Sequence, residues 1–138
     1  MSSYIPVVLR RFVVRRANQV CEYCLLPQLI VLTPHEPDHI VPEQHDGQTP
    51  EDNLALACMR CNRRKGTNIG SFDPLTGNLV RFFNHRIDKW EEHFDWRENR
   101  IIPISPEGRV TAKILNFNSG DRLAERDLAI RLGLYPNR

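Results

Sequence analysis

Two C-x-x-C pairs, Cys21-Glu22-Tyr23-Cys24 and Cys58-Met59-Arg60-Cys61, constrain this chain more than any other feature. The spacing lets both sulfurs of a pair point at one ion, so the two pairs together offer a tetrahedral set of thiolates. Thiolates are soft ligands, which favours Zn2+, and a closed set of four leaves no position for water, so the site is structural and not catalytic. An iron–sulfur cluster is the main rival for the same ligands. A thiol redox protein would need an exposed, low-pKa pair near a helix start in a βαβ pattern, and that pattern is missing. The N-terminal MSSYIPVVLRR lacks the order of a secretory signal, and no apolar run reaches bilayer length. The expectation is a cytoplasmic chain without membrane contact, where thiols stay reduced and hold metal in preference to forming disulfides.

With 138 residues, 41% apolar and 26% charged, the chain fits one domain over 1–138, a core over about 5–68 and an extension over about 69–138. Ile5, Val8, Leu9 and Phe12 recur at helical spacing, predicting a first helix that runs to about Ala17 and delivers the chain to Cys21. Leu29-Ile30-Val31-Leu32, bounded by Pro27 and Pro34, suits a strand leading toward 35–41. Residues 42–52 read as a loop, Leu54-Ala55-Leu56-Ala57 as a return strand, and Met59 to Lys65 as a short helix ended by Gly66. Further on, Asp73-Pro74-Leu75-Thr76-Gly77 is turn chemistry, and Phe94 to Ile104 suits a hairpin turning at Glu98-Asn99. Ser105-Pro106-Glu107 reads as a helix start, and Ser119-Gly120-Asp121 opens a last helix with Ala124, Leu128 and Leu132 on one face. Trp90, Phe94 and Trp96 are expected to seal a core and not to stack on bases.

Between the cysteine pairs lie Asp38-His39-Ile40-Val41-Pro42 and Asn53-Leu54, and Asn62 follows Cys61 with basic residues after it. In this order the sequence resembles the HNH endonucleases, specifically their cysteine-bearing branch, across residues 21–65. The resemblance implies an α+β fold with a ββα-metal core, here stapled by the four-cysteine zinc site and followed by a C-terminal hairpin and helices. It assigns Asp38 to the metal-binding acid, His39 to the general base, Asn53 to the middle asparagine and Asn62 to the final ligand position. It also implies phosphodiester hydrolysis that leaves a 5′ phosphate and a 3′ hydroxyl.

The chemistry agrees independently. A phosphodiester repels hydroxide, so hydrolysis needs a cation on the phosphate and a base that makes the nucleophile in place. Asp38 and the amide oxygen of Asn62 are hard ligands suited to Mg2+ or Mn2+. Strand alternation turns the His39 imidazole away from Asp38, toward the attacking water. Asn53 takes a supporting role, fixing the hairpin loop or the imidazole. His45 is as readily a solvated loop histidine as a phosphate or ion contact, and His35, His85 and His93 receive no role.

A net charge of +2 does not by itself announce a nucleic-acid binder. Its distribution says more: Arg60, Arg63, Arg64 and Lys65 form a basic knot expected to touch phosphates. For Arg10, Arg11, Arg15 and Arg16 on the first helix, phosphate contact and plain solvation weigh equally. No recognition helix is visible, so nucleic acid, with DNA the favoured form, would be gripped without sequence readout. One site cuts one strand, so cutting a duplex calls for a homodimer or two encounters; a partner protein that supplies targeting is a separate option that the sequence leaves open. The alternative is a non-catalytic zinc module that binds nucleic acid or a protein.

Overall fold

The computed structural model describes residues 4–136, in which helices and three two-stranded sheets alternate along the chain. Helix α1 (Val7–Arg16) carries no acid in its first turn and two arginines in its last, an arrangement that suits the helix dipole at the C-terminal end. Its Val13 packs with Ile5, Leu54 and Leu56 in a small core between the helix and the first hairpin. Strands β1 (Glu36–His39) and β2 (Leu54–Ala57) pair antiparallel, with Asp38 opposite Ala55 and His39 opposite Leu54. All four β2 residues are buried, which explains an unbroken run of Leu and Ala in place of polar alternation. Helix α2 (Met59–Lys65) follows at once, its N-terminus capped by the Cys58 sulfur, which accepts from the Cys61 N–H. It ends at Gly66, whose φ of +54° and ψ of −131° favour glycine.

The expected strand over 29–32 is not formed. Gln28–Ile30 makes a short 3-10 turn and the Leu32 side chain is fully exposed. The reason is local: the Gln28 amide donates to the Thr33 carbonyl at 3.0 Å and accepts from the His35 N–H at 2.5 Å, closing residues 28–35 into a loop on their own backbone. The apolar run therefore spans a surface loop, and strand pairing begins only at Glu36.

The C-terminal half holds two hairpins where the sequence showed one. Strands β3 (Gly70–Phe72) and β4 (Leu79–Arg81) flank the expected 73–77 turn, and β5 (Phe94–Arg97) and β6 (Arg100–Pro103) flank Glu98-Asn99. Asp73 organises the first turn by accepting from the Leu75 N–H and the Thr76 hydroxyl, and Arg109 grips the same carboxylate through two 2.8 Å bonds. Arg109 belongs to helix α3 (Pro106–Ile114), which Ser105 caps by accepting from the Gly108 N–H. Trp90 and Phe94 are buried and Trp96 stacks on Trp90, in a core cluster that also contains the four cysteines.

Helix α4 (Gly120–Arg131) packs by a face that hydropathy does not reveal. It buries Arg122, Arg126 and Ala129, while Ala124, Leu128 and Leu132 face solvent. The two sets have equally helical spacing, and the arginine set wins because each guanidinium meets buried carbonyls, and Arg122 the Cys61 sulfur as well. Arg126 donates to the Asn99 and Phe117 carbonyls and to Asn118 Oδ1. Leu128→Gln should therefore change stability by less than about 0.5 kcal/mol. Arg126→Ala, which removes the donor from the Asn99 and Phe117 carbonyls, should cost more than about 2 kcal/mol in urea denaturation.

Candidate active site and its metal staple

The four cysteine sulfurs are buried and lie within 4.8 Å of one another. The Cys24 and Cys58 sulfurs are 3.8 Å apart, which is about the edge of a tetrahedron whose arms are ~2.3 Å zinc–sulfur bonds. The donor set thus fits a structural metal such as zinc. The first knuckle turns through Leu25 at φ +65° and returns by a Cys21 N–H bond to the Leu26 carbonyl. Glu22 fastens it to the hairpin: its backbone N–H donates to the Leu56 carbonyl, and its carboxylate accepts from the Leu56 N–H and pairs with Arg86.

Partners that no sequence pattern marks reach the staple from the C-terminal half. Arg122 on α4 donates to the Cys61 sulfur at 2.9 Å, lies 3.8 Å from the Cys58 sulfur, and donates to the Leu115 carbonyl. Burial works against its charge, but the Cys61, Cys24 and Cys58 sulfurs outweigh that and raise its pKa above the ordinary arginine value. Trp90 donates to the Tyr23 carbonyl and Tyr135 to the Cys24 carbonyl, so three residues beyond position 89 hold the ligand loops. Such partners orient metal ligands and offset thiolate charge.

Beside the staple, a cleft of about 490 Å³ opens between the hairpin and α2, and Asp38, His39 and Asn62 all line it. Although strand alternation separates their side chains, Asp38 and His39 both border the cleft, because it opens where β1 ends. Asp38 Oδ2 is 3.1 Å from the Lys65 ammonium and accepts from the Tyr23 hydroxyl at 3.3 Å. Burial raises the Asp38 carboxyl above the ordinary aspartate range, and the ion pair with Lys65 opposes that rise. The His39 Nε2 lies 3.1 Å from the Thr49 hydroxyl.

The loop that brings Thr49 there is built by Asn53 and Gly47. The Asn53 amide accepts from the Val41 N–H and donates to the Val41 and Gln48 carbonyls, closing the loop at its base without lining the cleft. A Cβ on Gly47 would sit 1.6 Å from the Val41 carbonyl oxygen, so only glycine fits. His45 bonds the Thr67 carbonyl.

The basic knot divides. Lys65 is buried, and besides Asp38 its ammonium serves the His39 carbonyl at 2.9 Å, so it is no surface phosphate contact. Its position four residues after Cys61, on the same buried stripe of α2, is the signal that marks it as an inward residue. Arg60 pairs with Asp121 and Glu125, and Arg64 donates to the Ile114 carbonyl. With Arg63 they border a depression against Leu115 and Ser119 that shares no lining residue with the cleft.

Residues 21–68, about a third of the chain, match the HNH endonuclease family model, and the four-cysteine cluster at the two ends of that segment is consistent with the zinc-stapled type. No curated protein and no solved structure matched the chain. No described helix is long and apolar enough to cross a membrane.

Because the staple joins α2 to the first knuckle and the C-terminal half to both, stripping the metal with a chelator should unfold the protein cooperatively, and Cys58→Ser should do the same, as followed by circular dichroism. A variant lacking all four cysteines that kept a sharp unfolding transition would refute the staple. Lys65→Ala should cost about 3–5 kcal/mol, since it leaves the Asp38 carboxylate buried without its partner.

Proposed function

We propose that this chain is a metal-dependent endonuclease that hydrolyses nucleic-acid phosphodiester bonds, DNA foremost, with His39 as general base. The observation that carries the reading is the convergence of Asp38, His39 and Asn62 on one open cleft next to the thiolate site. Asp38 and Asn62 would hold a divalent ion, Mg2+ or Mn2+, whose charge stabilises the phosphate and the departing oxygen.

The protein's own groups set up the rest. When His39 Nε2 donates to Thr49, Nδ1 is left as the acceptor for a proton from water, and the Asn53-closed loop holds that tautomer in place. The water oxygen then bonds to phosphorus as the bond to the 3′ oxygen breaks; that oxygen takes the electron pair and a proton from solvent water, leaving a 5′ phosphate and a 3′ hydroxyl. The Lys65 charge cancels that of Asp38, so this pair by itself leaves the charge of a bound divalent ion uncompensated. The phosphate then contributes the negative charge that completes the ion's surroundings.

A non-catalytic zinc module draws support from one observation, the engagement of Asp38 Oδ2 by both Lys65 and Tyr23, as in a purely structural pair. Nicking of a supercoiled plasmid with added Mg2+ or Mn2+ separates the two readings. His39→Ala should keep its metal content and fold while turnover falls by roughly two to four orders of magnitude. Asp38→Asn and Asn62→Ala should shift the divalent-ion concentration needed for activity. Equal cleavage by folded His39→Ala and wild type would displace His39, and no cleavage of any nucleic acid by wild type would leave the binding module.

A further inference from the structure

The cleft continues into a shallow furrow between α1 and the start of β1. Arg10, Glu36 and Pro37 border both, while Arg11, Arg15 and Val14 line the furrow alone. Three arginines therefore face the furrow against one carboxylate, and that carboxylate, Glu36, is already paired with Arg10 at 2.9 Å, whereas the cleft itself is lined by Asp38 and Glu43. Arg11 and Arg15 are exposed, and neither forms an ion pair among the described residues. They lie four residues apart on one helical face, about 6 Å along its axis, which places two unpaired cations in line with the furrow. Arg16 of the same helix is spent elsewhere, on the Glu51 and Leu54 carbonyls.

Resting on the nuclease reading, we propose that this furrow, and not the arginine knot of α2, receives the nucleic-acid backbone where it leaves the cleft, with Arg11 and Arg15 contacting phosphates beyond the scissile one. A mobile guanidinium in water gains most from a polyanion when no carboxylate competes for it, and α1 carries no acid. On α2, Asp121 and Glu125 stand beside Arg60 and the Ile114 carbonyl takes Arg64, so Arg63 alone is left without a partner among the described residues, and it borders a depression apart from the cleft. The substrate this implies is extended, with several phosphates on one side of the cut. A lone phosphodiester reaches only the cleft.

The test compares wild type with Arg11→Gln/Arg15→Gln and Arg63→Gln/Arg64→Gln, all checked for fold and zinc content. Binding to fluorescent duplex DNA, single-stranded DNA and RNA is measured across salt without added divalent ion, and hydrolysis of bis(p-nitrophenyl) phosphate is measured with Mn2+. The furrow variant should bind the preferred form roughly tenfold more weakly at low salt. Its slope of log affinity against log salt should fall by about 1.8 for a duplex, or about 1.4 for a single strand. Its hydrolysis of the small diester should match wild type, and the knot variant should stay within about twofold of wild type throughout. Wild-type affinity and slope in the furrow variant, or a larger loss in the knot variant, would overturn the furrow while leaving the nuclease reading intact. Loss of small-diester hydrolysis by a folded furrow variant would also overturn it, since the arginines would then act inside the cleft. A wild type that cleaves neither the small diester nor any nucleic acid would remove the nuclease reading, and the furrow with it.

Discussion

Four buried sulfurs within 4.8 Å of one another cannot all be thiolates without a cation among them, and the rest of the fold is arranged around that requirement. The knuckle loops are too short and too irregular to hold themselves, and the hairpin they flank is only two strands wide, a size that is marginal in water alone. A metal ion tying Cys21 and Cys24 to Cys58 and Cys61 fixes the approach of α2 to the hairpin. That angle in turn decides whether Asp38 and Asn62 face one cleft. The C-terminal half completes the arrangement by placing the Arg122 guanidinium on the Cys61 sulfur and anchoring both knuckle carbonyls through Trp90 and Tyr135. The family-like segment ends at residue 68, yet its metal site draws partners from residues 90, 122 and 135.

The buried Lys65–Asp38 pair is the second organising interaction, and its magnitude argues that stability is not its reason. A buried ion pair roughly breaks even against well-packed apolar residues, although removing one partner is costly. Lys65 also holds the His39 carbonyl, so one ammonium fixes the His39 backbone and the Asp38 carboxylate together. An apolar pair in their place would fill the volume but set neither group.

Much of the core was legible because its signals are short-range and chemical. The two C-x-x-C pairs, the return strand Leu54–Ala57, the α2 helix with Gly66 after it, and the β5–β6 hairpin appear where residue pattern and turn chemistry place them. The misreadings share one cause, which is that polarity was taken as a guide to burial. Leu29 to Leu32 has the pattern of a strand and forms a loop that exposes Leu29 and Leu32 and rests Ile30 and Val31 on the core, because the Gln28 amide offers the backbone a local alternative. In α4 the apolar face of Ala124, Leu128 and Leu132 is exposed, and Arg122 and Arg126 are buried because sulfurs and carbonyls accept from them. Lys65 was grouped with surface cations for the same reason. Thr49, Tyr23 and Arg122 lie far in sequence from the groups they serve, and no local pattern points to them.

The account stands on the staple, so the most direct measurement is metal analysis of the purified protein combined with X-ray absorption at the zinc edge. The prediction is one zinc per chain, surrounded by four sulfur neighbours at about 2.3 Å with no nitrogen or oxygen in the first sphere. Iron in place of zinc, a mixed ligand set, or a folded protein without bound metal would contradict it.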